Sequence, residues 1–121
     1  MLIEDYDNFF LPTEDLEAAR TFYGEVLGLS VKFDFSERGM IGFGVGVAEP
    51  AVILRDIRHF PHARPTMWFV VDDAREAARH LQEAGVKLVA EPIRIPTGWA
   101  VEFDDPFGNR LGFTDYQTGE E

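Results

Sequence analysis

The stretch Asp15-Leu16-Glu17-Ala18-Ala19-Arg20-Thr21-Phe22-Tyr23-Gly24-Glu25-Val26-Leu27-Gly28 is where the fold becomes readable. Leu16, Ala19, Phe22, Tyr23 and Val26 recur at the spacing of one helical face, which predicts a helix over Asp15–Leu27. Asp15 suits the N-cap, and Gly28 stands where a left-handed residue closes the C-terminus. Ahead of the helix, Asn8-Phe9-Phe10-Leu11 reads as a short apolar strand stopped by Pro12, which has no N–H for a ladder. Behind it lie three strand-like stretches, Val31–Phe35, Met40–Val47 and Ala51–Arg55, with turn signals at Ser36–Gly39 and Ala48–Pro50.

The same order then returns. Thr66-Met67-Trp68-Phe69-Val70-Val71 reads as a strand and Asp73–Ala84 as an amphipathic helix closed by Gly85. Strand-like pieces follow at Lys87–Val89, Trp99–Phe103 and Arg110–Thr114. Glu17-Ala18-Ala19-Arg20 recurs as Glu76-Ala77-Ala78-Arg79, 59 residues later. Those letters are common helix formers and mean little alone. The repeated element order gives them weight. Two βαβββ modules, about residues 6–58 and 64–116, are the simplest account, and each is too small to bury its helix and sheet well alone. One α+β domain over residues 1–121 is therefore expected.

Composition narrows the function classes. Hydrophobic residues make up 45% of the 121 and charged ones 27%, a globular balance. With 22 acidic against 11 basic side chains the net charge is −11, which argues against nucleic acid and against an anionic membrane surface. The charge serves solubility; if it selects a ligand, it favours a cation. Without cysteine there are no disulfides, thiol nucleophiles or thiolate-bound zinc. Met1–Asn8 carries acids and no basic region, unlike a signal peptide, and no apolar run approaches the ~20 residues of a membrane span. A soluble, cytoplasmic protein is expected.

Phe22-Tyr23 with Val26-Leu27-Gly28-Leu29 resembles the first-helix signature of the vicinal-oxygen-chelate superfamily, and Asp105-Pro106-Phe107-Gly108-Asn109 resembles its turn before the last strand. That superfamily includes glyoxalase I, extradiol dioxygenases, fosfomycin-resistance transferases, methylmalonyl-CoA epimerase and bleomycin-resistance binding proteins. The resemblance implies a mixed sheet curled into a cup, with helices on its outer face, and frequent pairing into dimers. It also implies metal ligands on the first, fourth, fifth and last strands of metal-dependent members. By motif spacing these positions fall on Asn8, Leu54, Thr66 and Gly112. None is a usual ligand for a divalent metal. A slip of one residue brings in a single carboxylate, Asp7. No metal and no cofactor are expected.

Strand alternation suggests what lines the interior instead. Leu111 and Phe113, Trp99, Val101 and Phe103, and Met67, Phe69 and Val71 suit the helix side. That leaves Asn8, Phe10, Val52, Leu54, Thr66, Trp68, Val70, Ala100, Glu102, Arg110, Gly112 and Thr114 inward. The expected ligand-binding set is Asn8, Phe10, Leu54, Thr66, Trp68, Glu102, Arg110, Gly112 and Thr114, greasy walls with a few orienting groups. Trp68 and Phe10 suit stacking on a planar or cationic ligand, against plain packing. Glu102 is the candidate catalytic residue: it takes a ligand ammonium, acts as a general base, or forms an ion pair with Arg110. Gly42, Gly44 and Gly46 leave room or permit curvature. Asp56, His59 and His62 have chelating spacing, but Pro61 interrupts them, and a linker is the simpler reading.

The expected function is a metal-free small-molecule binding protein of the bleomycin-resistance type, for a small aromatic or cationic compound. The alternative is a lyase, isomerase or dioxygenase of the same superfamily. A homodimer is expected, since open sheet edges invite pairing.

Overall fold

A computed structural model describes residues 3–117 of the chain. They form two compact units, Asn8–Pro65 in one, and Thr66 onward together with the residues up to Asp7 in the other. The class is α+β, and each unit carries a mixed sheet with its helix packed on one face.

The first unit contains the second half of β1 (Ile3–Thr13), α1 (Leu16–Ala19), β2 (Ser30–Phe35), β3 (Met40–Gly44) and β4 (Ala51–Asp56). Its strand order is β2-β3-β4-β1, with β1 parallel to β4 and the other pairs antiparallel. Strand β1 runs past Pro12, because the carbonyl of Thr13 still accepts from Ile57 N at 3.0 Å. The second unit contains β5 (Thr66–Val71), α2 (Ala74–Glu83), β6 (Ile93–Ile95), β7 (Gly98–Asp104) and β8 (Arg110–Thr114). Its order is β5-β8-β7-β6, with the start of β1 beside β5 and β5 parallel to β8.

The two helices begin alike. Asp15 accepts from the N–H groups of Glu17 and Ala18, and Asp73 from those of Arg75 and Glu76. Both caps have extended backbone, φ −151° with ψ 103° or 105°, so the repeat extends to the capping geometry. Gly28 at φ 80° and Gly85 at φ 88° end the helical segments in the left-handed region, as the sequence predicts.

The first helix departs from expectation after one turn. From Arg20 to Val26 it is π-helical, and Leu27 N donates to Phe22 O at 2.9 Å. One added residue in a turn rotates everything after it by about 100°. Leu16 and Ala19 stay buried against Ile41, Phe43 and Leu54, and Tyr23 packs on Phe43 at 5.6 Å between centroids. Phe22, Val26 and Leu27 are turned out, 48%, 67% and 52% exposed. Strand β2 also breaks its alternation: a bulge between Val31 and Phe33 pairs Val31 with Phe43 but Phe33 with Gly42. Phe33 and Phe35 therefore share a face that Val31 does not.

In the second unit α2 closes over Val71, Val101, Phe103 and Phe113 through Ala74, Ala77, Ala78 and Leu81. Lys87–Val89 is not a strand. Leu88 makes a single bridge to Phe103, and the strand beside β7 is Ile93–Ile95, joined to it by the two-residue turn Pro96-Thr97. The Asp105-Pro106-Phe107-Gly108-Asn109 turn is held by Asp105, whose carboxylate accepts from Phe107 N, Asn109 N and Asn109 Nδ2 at 2.8–2.9 Å.

Those bonds lower the Asp105 pKa, the Asn109 side chain contributing most. Asp34 falls from 3.8 to about 2, chiefly through the Arg20 guanidinium at 2.8 Å and then Ser36. Both carboxylates bind a proton less readily folded than unfolded. Their stabilisation is present above the ordinary carboxylate range and is lost as pH falls through the lowered value. Urea midpoints followed from about pH 6 to about pH 2.5 should fall less steeply in Asp34→Asn than in the wild type. Equal slopes would mean the Arg20 pair gives no linkage.

Candidate functional site

Cross-strand register builds the candidate site in the second unit. Trp68 on β5 lies beside Gly112 on β8, which lies opposite Glu102 on β7. One step along, Thr66, Arg110 and Asp104 form the next row, and Val70, Thr114 and Ala100 the row on the other side. All nine positions share the face opposite the α2 core, so the alternation read from the sequence holds for this unit.

The indole of Trp68 is 8% exposed and its Nε1 donates to Glu102 Oε2 at 2.9 Å. It lies across the position of Gly112: a Cβ there would stand 2.3 Å from Trp68 Cδ1 and 2.4 Å from Nε1. Arg110 makes direct bonds to Asp104, and the charge of Glu102 adds to the rise in its pKa. Its Nε and Nη2 donate to Asp104 at 2.6 and 3.3 Å, because Asp104 is the residue directly across the ladder. The Arg110 side chain is only 9% exposed, and this fork raises its pKa further. Thr114 is buried and its hydroxyl donates to Trp99 O at 3.0 Å, so it serves the sheet. A groove of about 640 Å³ at the C-terminal end of α2 has Arg110 and Asp104 in its wall with Val86 and Leu88, and does not include Trp68 or Glu102.

In the first unit, Asn8 Oδ1 accepts from Ala51 N at 2.8 Å. Phe10 is buried, with the Arg55 guanidinium 3.9 Å from its ring centroid and 5.3 Å from that of Phe60. Leu54 is elsewhere. It pairs with Leu11 and Ile41 and lies in the core with Leu16 and Ala19, on the helix face rather than the face of Phe10. The partner of Phe10 is Ile53. Val52-Ile53-Leu54 is apolar at every position, so alternation alone does not say which residues turn inward. The charged Arg55, in step with Ile53, was the available sign that this face is not the helix core, and it is the residue the sequence reading missed.

The metal positions implied by the sequence resemblance do not fit a metal. Asn8 is bonded to backbone, Leu54 is in the helix core, and Gly112 lies under an indole. Among the described residues no group of three or more His, Asp or Glu side chains is placed to hold a metal ion. Asp56 turns to Arg58, accepting from its N, Nε and Nη2, while His59 packs over Gly39. The Asp56, His59 and His62 spacing therefore makes no chelate. Among the described residues no helix is long and apolar enough to cross a membrane.

With this geometry in hand, comparison with known proteins is decisive for the family. The Glyoxalase/Bleomycin resistance protein/Dioxygenase superfamily model matches residues 6–113. The chain belongs to that superfamily. No curated protein matches it. Solved structures share the fold at low identity. A superfamily member from Vibrio splendidus 12B01 is 19% identical with a TM-score of 0.67, covering 89% of this chain and 96% of its own. Methylmalonyl-CoA epimerase from Mycobacterium tuberculosis is 18% identical with a TM-score of 0.71, covering 94% and 89%. A Streptomyces coelicolor methylmalonyl-CoA epimerase variant bound to 2-nitronate-propionyl-CoA is 15% identical with a TM-score of 0.74, covering 99% of both chains.

If Leu54 belongs to the helix core, Leu54→Ala should cost about 2–5 kcal/mol in urea unfolding, as for any buried leucine. A cost under about 1 kcal/mol would contradict its placement.

Proposed function

We propose that this superfamily member is a metal-independent small-molecule binding protein, taking a small aromatic or cationic compound on the strand face that carries Trp68 and Glu102. The observation that carries the reading is the Trp68 indole lying over Gly112 with its N–H on the Glu102 carboxylate. An aromatic plane and an anionic acceptor on the two strands that flank β8 suit a flat ligand with a positive or hydrogen-bond-donating group. Thr66 and Arg110 stand in the next row of the same face. The net charge of −11 favours a cation over an anion.

The test begins with metal content of chelator-washed protein and thermal shift with Ni, Zn, Mn and Fe(II). Calorimetric titration then compares naphthylmethylammonium with naphthoate. No bound metal and tighter binding of the ammonium are expected, with about a tenfold loss in Glu102→Gln. Stoichiometric metal, a large stabilisation by one ion, or no binding of either probe would overturn the proposal.

We infer a homodimer as well, joined through apolar faces. Lys32 sits in the β2 bulge, and Pro92 and Pro96 flank the three-residue β6, so both of these edge strands are poorly suited to pairing. Phe22, Val26 and Leu27 are the exposed apolar group that favours association. Light scattering should give a dimer whose association strengthens between about 0.05 and 0.5 M salt, as repulsion between acidic chains is screened. A monomer throughout, or dissociation as salt rises, would refute it.

A further inference from the structure

Glycine at position 112 is not there for its backbone. Gly28, Gly39, Gly46, Gly85, Gly98 and Gly108 have positive φ, and Gly112 is not among them. Its φ and ψ suit any residue in the middle of β8, where glycine weakens a strand. What it supplies is space. The neighbouring β5 position holds the indole, the opposite β7 position holds the carboxylate, and the N–H···O bond joins them across the strand between. Any side chain at 112 would begin inside the indole, since real Cβ atoms do not approach other heavy atoms to 2.3 Å.

We propose that Trp68 is the positioning residue for Glu102, and that Gly112 is the residue that lets it reach. A glutamate side chain on a strand face has several rotamers, and ordering it costs entropy. The indole is itself held by packing, at 8% exposure, and carries one donor and no acceptor. Donating that N–H to Oε2 fixes the direction of the carboxylate before any ligand arrives. The arrangement lowers the ordering cost of binding, so the tryptophan contributes through Glu102 as well as through its ring. The inference rests on the reading that Glu102 meets the ligand, but the indole–carboxylate bond is tested independently of any ligand.

The protein has two tryptophans, which makes the test direct. In uniformly 15N-labelled protein the two indole N–H resonances are assigned by loss of one in Trp68→Phe. Trp99, which lies near the Arg75 and Arg94 guanidinium groups at 4.3 and 5.9 Å, serves as the internal control. A charge-assisted bond places the Trp68 N–H downfield and slows its exchange with solvent. Glu102→Gln should move that resonance upfield and speed its exchange, leaving Trp99 unchanged. Gly112→Ala should do the same and shift the Trp68 emission to the red. If Gly112→Ala fails to fold, Glu102→Gln, which keeps shape and removes charge, decides alone. A Trp68 resonance indifferent to Glu102→Gln overturns the positioning role.

The ligand arm uses naphthylmethylammonium. Trp68→Phe, which keeps an aromatic ring, should weaken it about tenfold in wild type but less than twofold in a Glu102→Gln background, since the lost group acts through the carboxylate. Equal losses in both backgrounds would show that the ring alone matters and overturn the proposal. If the probe binds no variant, including wild type, the binding reading fails while the indole resonance still decides whether Trp68 holds Glu102.

Discussion

The apolar contact between α2 and the strands beneath it constrains the second unit more than any polar group does. Val71, Val101, Phe103 and Phe113 meet Ala74, Ala77, Ala78 and Leu81, and burying a Phe or Leu side chain contributes roughly 1.5–3 kcal/mol. Once that face of the sheet is committed to the helix, strand geometry sends the alternate residues to the opposite face. Trp68, Gly112 and Glu102 are aligned there because Phe69, Phe113 and Val101 are aligned on the other side, one residue along. Asp115 reinforces the arrangement from the end of β8: its carboxylate accepts from Ala74 N, Trp99 N and Gln117 N, tying the helix start to β7.

The second unit was legible because its strands differ between faces. Met67, Phe69 and Val71 alternate with Thr66, Trp68 and Val70, and Leu111 and Phe113 alternate with Arg110, Gly112 and Thr114. The first unit was less so, for reasons that lie in particular residues. Val52-Ile53-Leu54 is apolar on both faces, so no pattern chose between them, and Leu54 was placed on the wrong one. The added residue in the turn after Arg20 leaves no mark in hydrophobic spacing, yet it carries Phe22 and Val26 to the surface. The bulge near Lys32 likewise switches faces within a stretch that reads as regular alternation. Each of these is a change of phase rather than of residue type, and phase is decided by packing partners distant in sequence.

Glycines show the same division between local and distant causes. Gly28 and Gly85 could be read from their places after helices, because the requirement is conformational and local. Gly42 and Gly112 answer to aromatic rings on neighbouring strands: a Cβ at 42 would meet Phe33 at 2.3 Å, as one at 112 would meet Trp68. Sequence reasoning assigns the space at Gly42 to a ligand or to curvature and sets Gly112 among the ligand-binding positions. In both places a side chain of the same unit fills it. The difference between them is polar: Phe33 ends in hydrocarbon, whereas Trp68 ends in an N–H aimed at a carboxylate.

That difference bears on the acids of the Trp68 face, since the described residues bring no metal-binding group together. A divalent ion needs several anionic or imidazole donors converging on one point. On the Trp68 face the carboxylates are on β7, and each faces a donor of a different kind: Asp104 the Arg110 fork, Glu102 the Trp68 indole. Asp104 is therefore committed to neutralising a nearly buried cation, and its removal would leave Arg110 charged in a poorly hydrated place. Glu102 faces a neutral donor, so its bond with Trp68 adds direction without cancelling its charge. Of the two acids, Asp104 takes the direct bonds of the guanidinium, while Glu102 takes the indole N–H and acts on Arg110 through its charge, so one carboxylate is pinned by a cation and the other by a neutral donor.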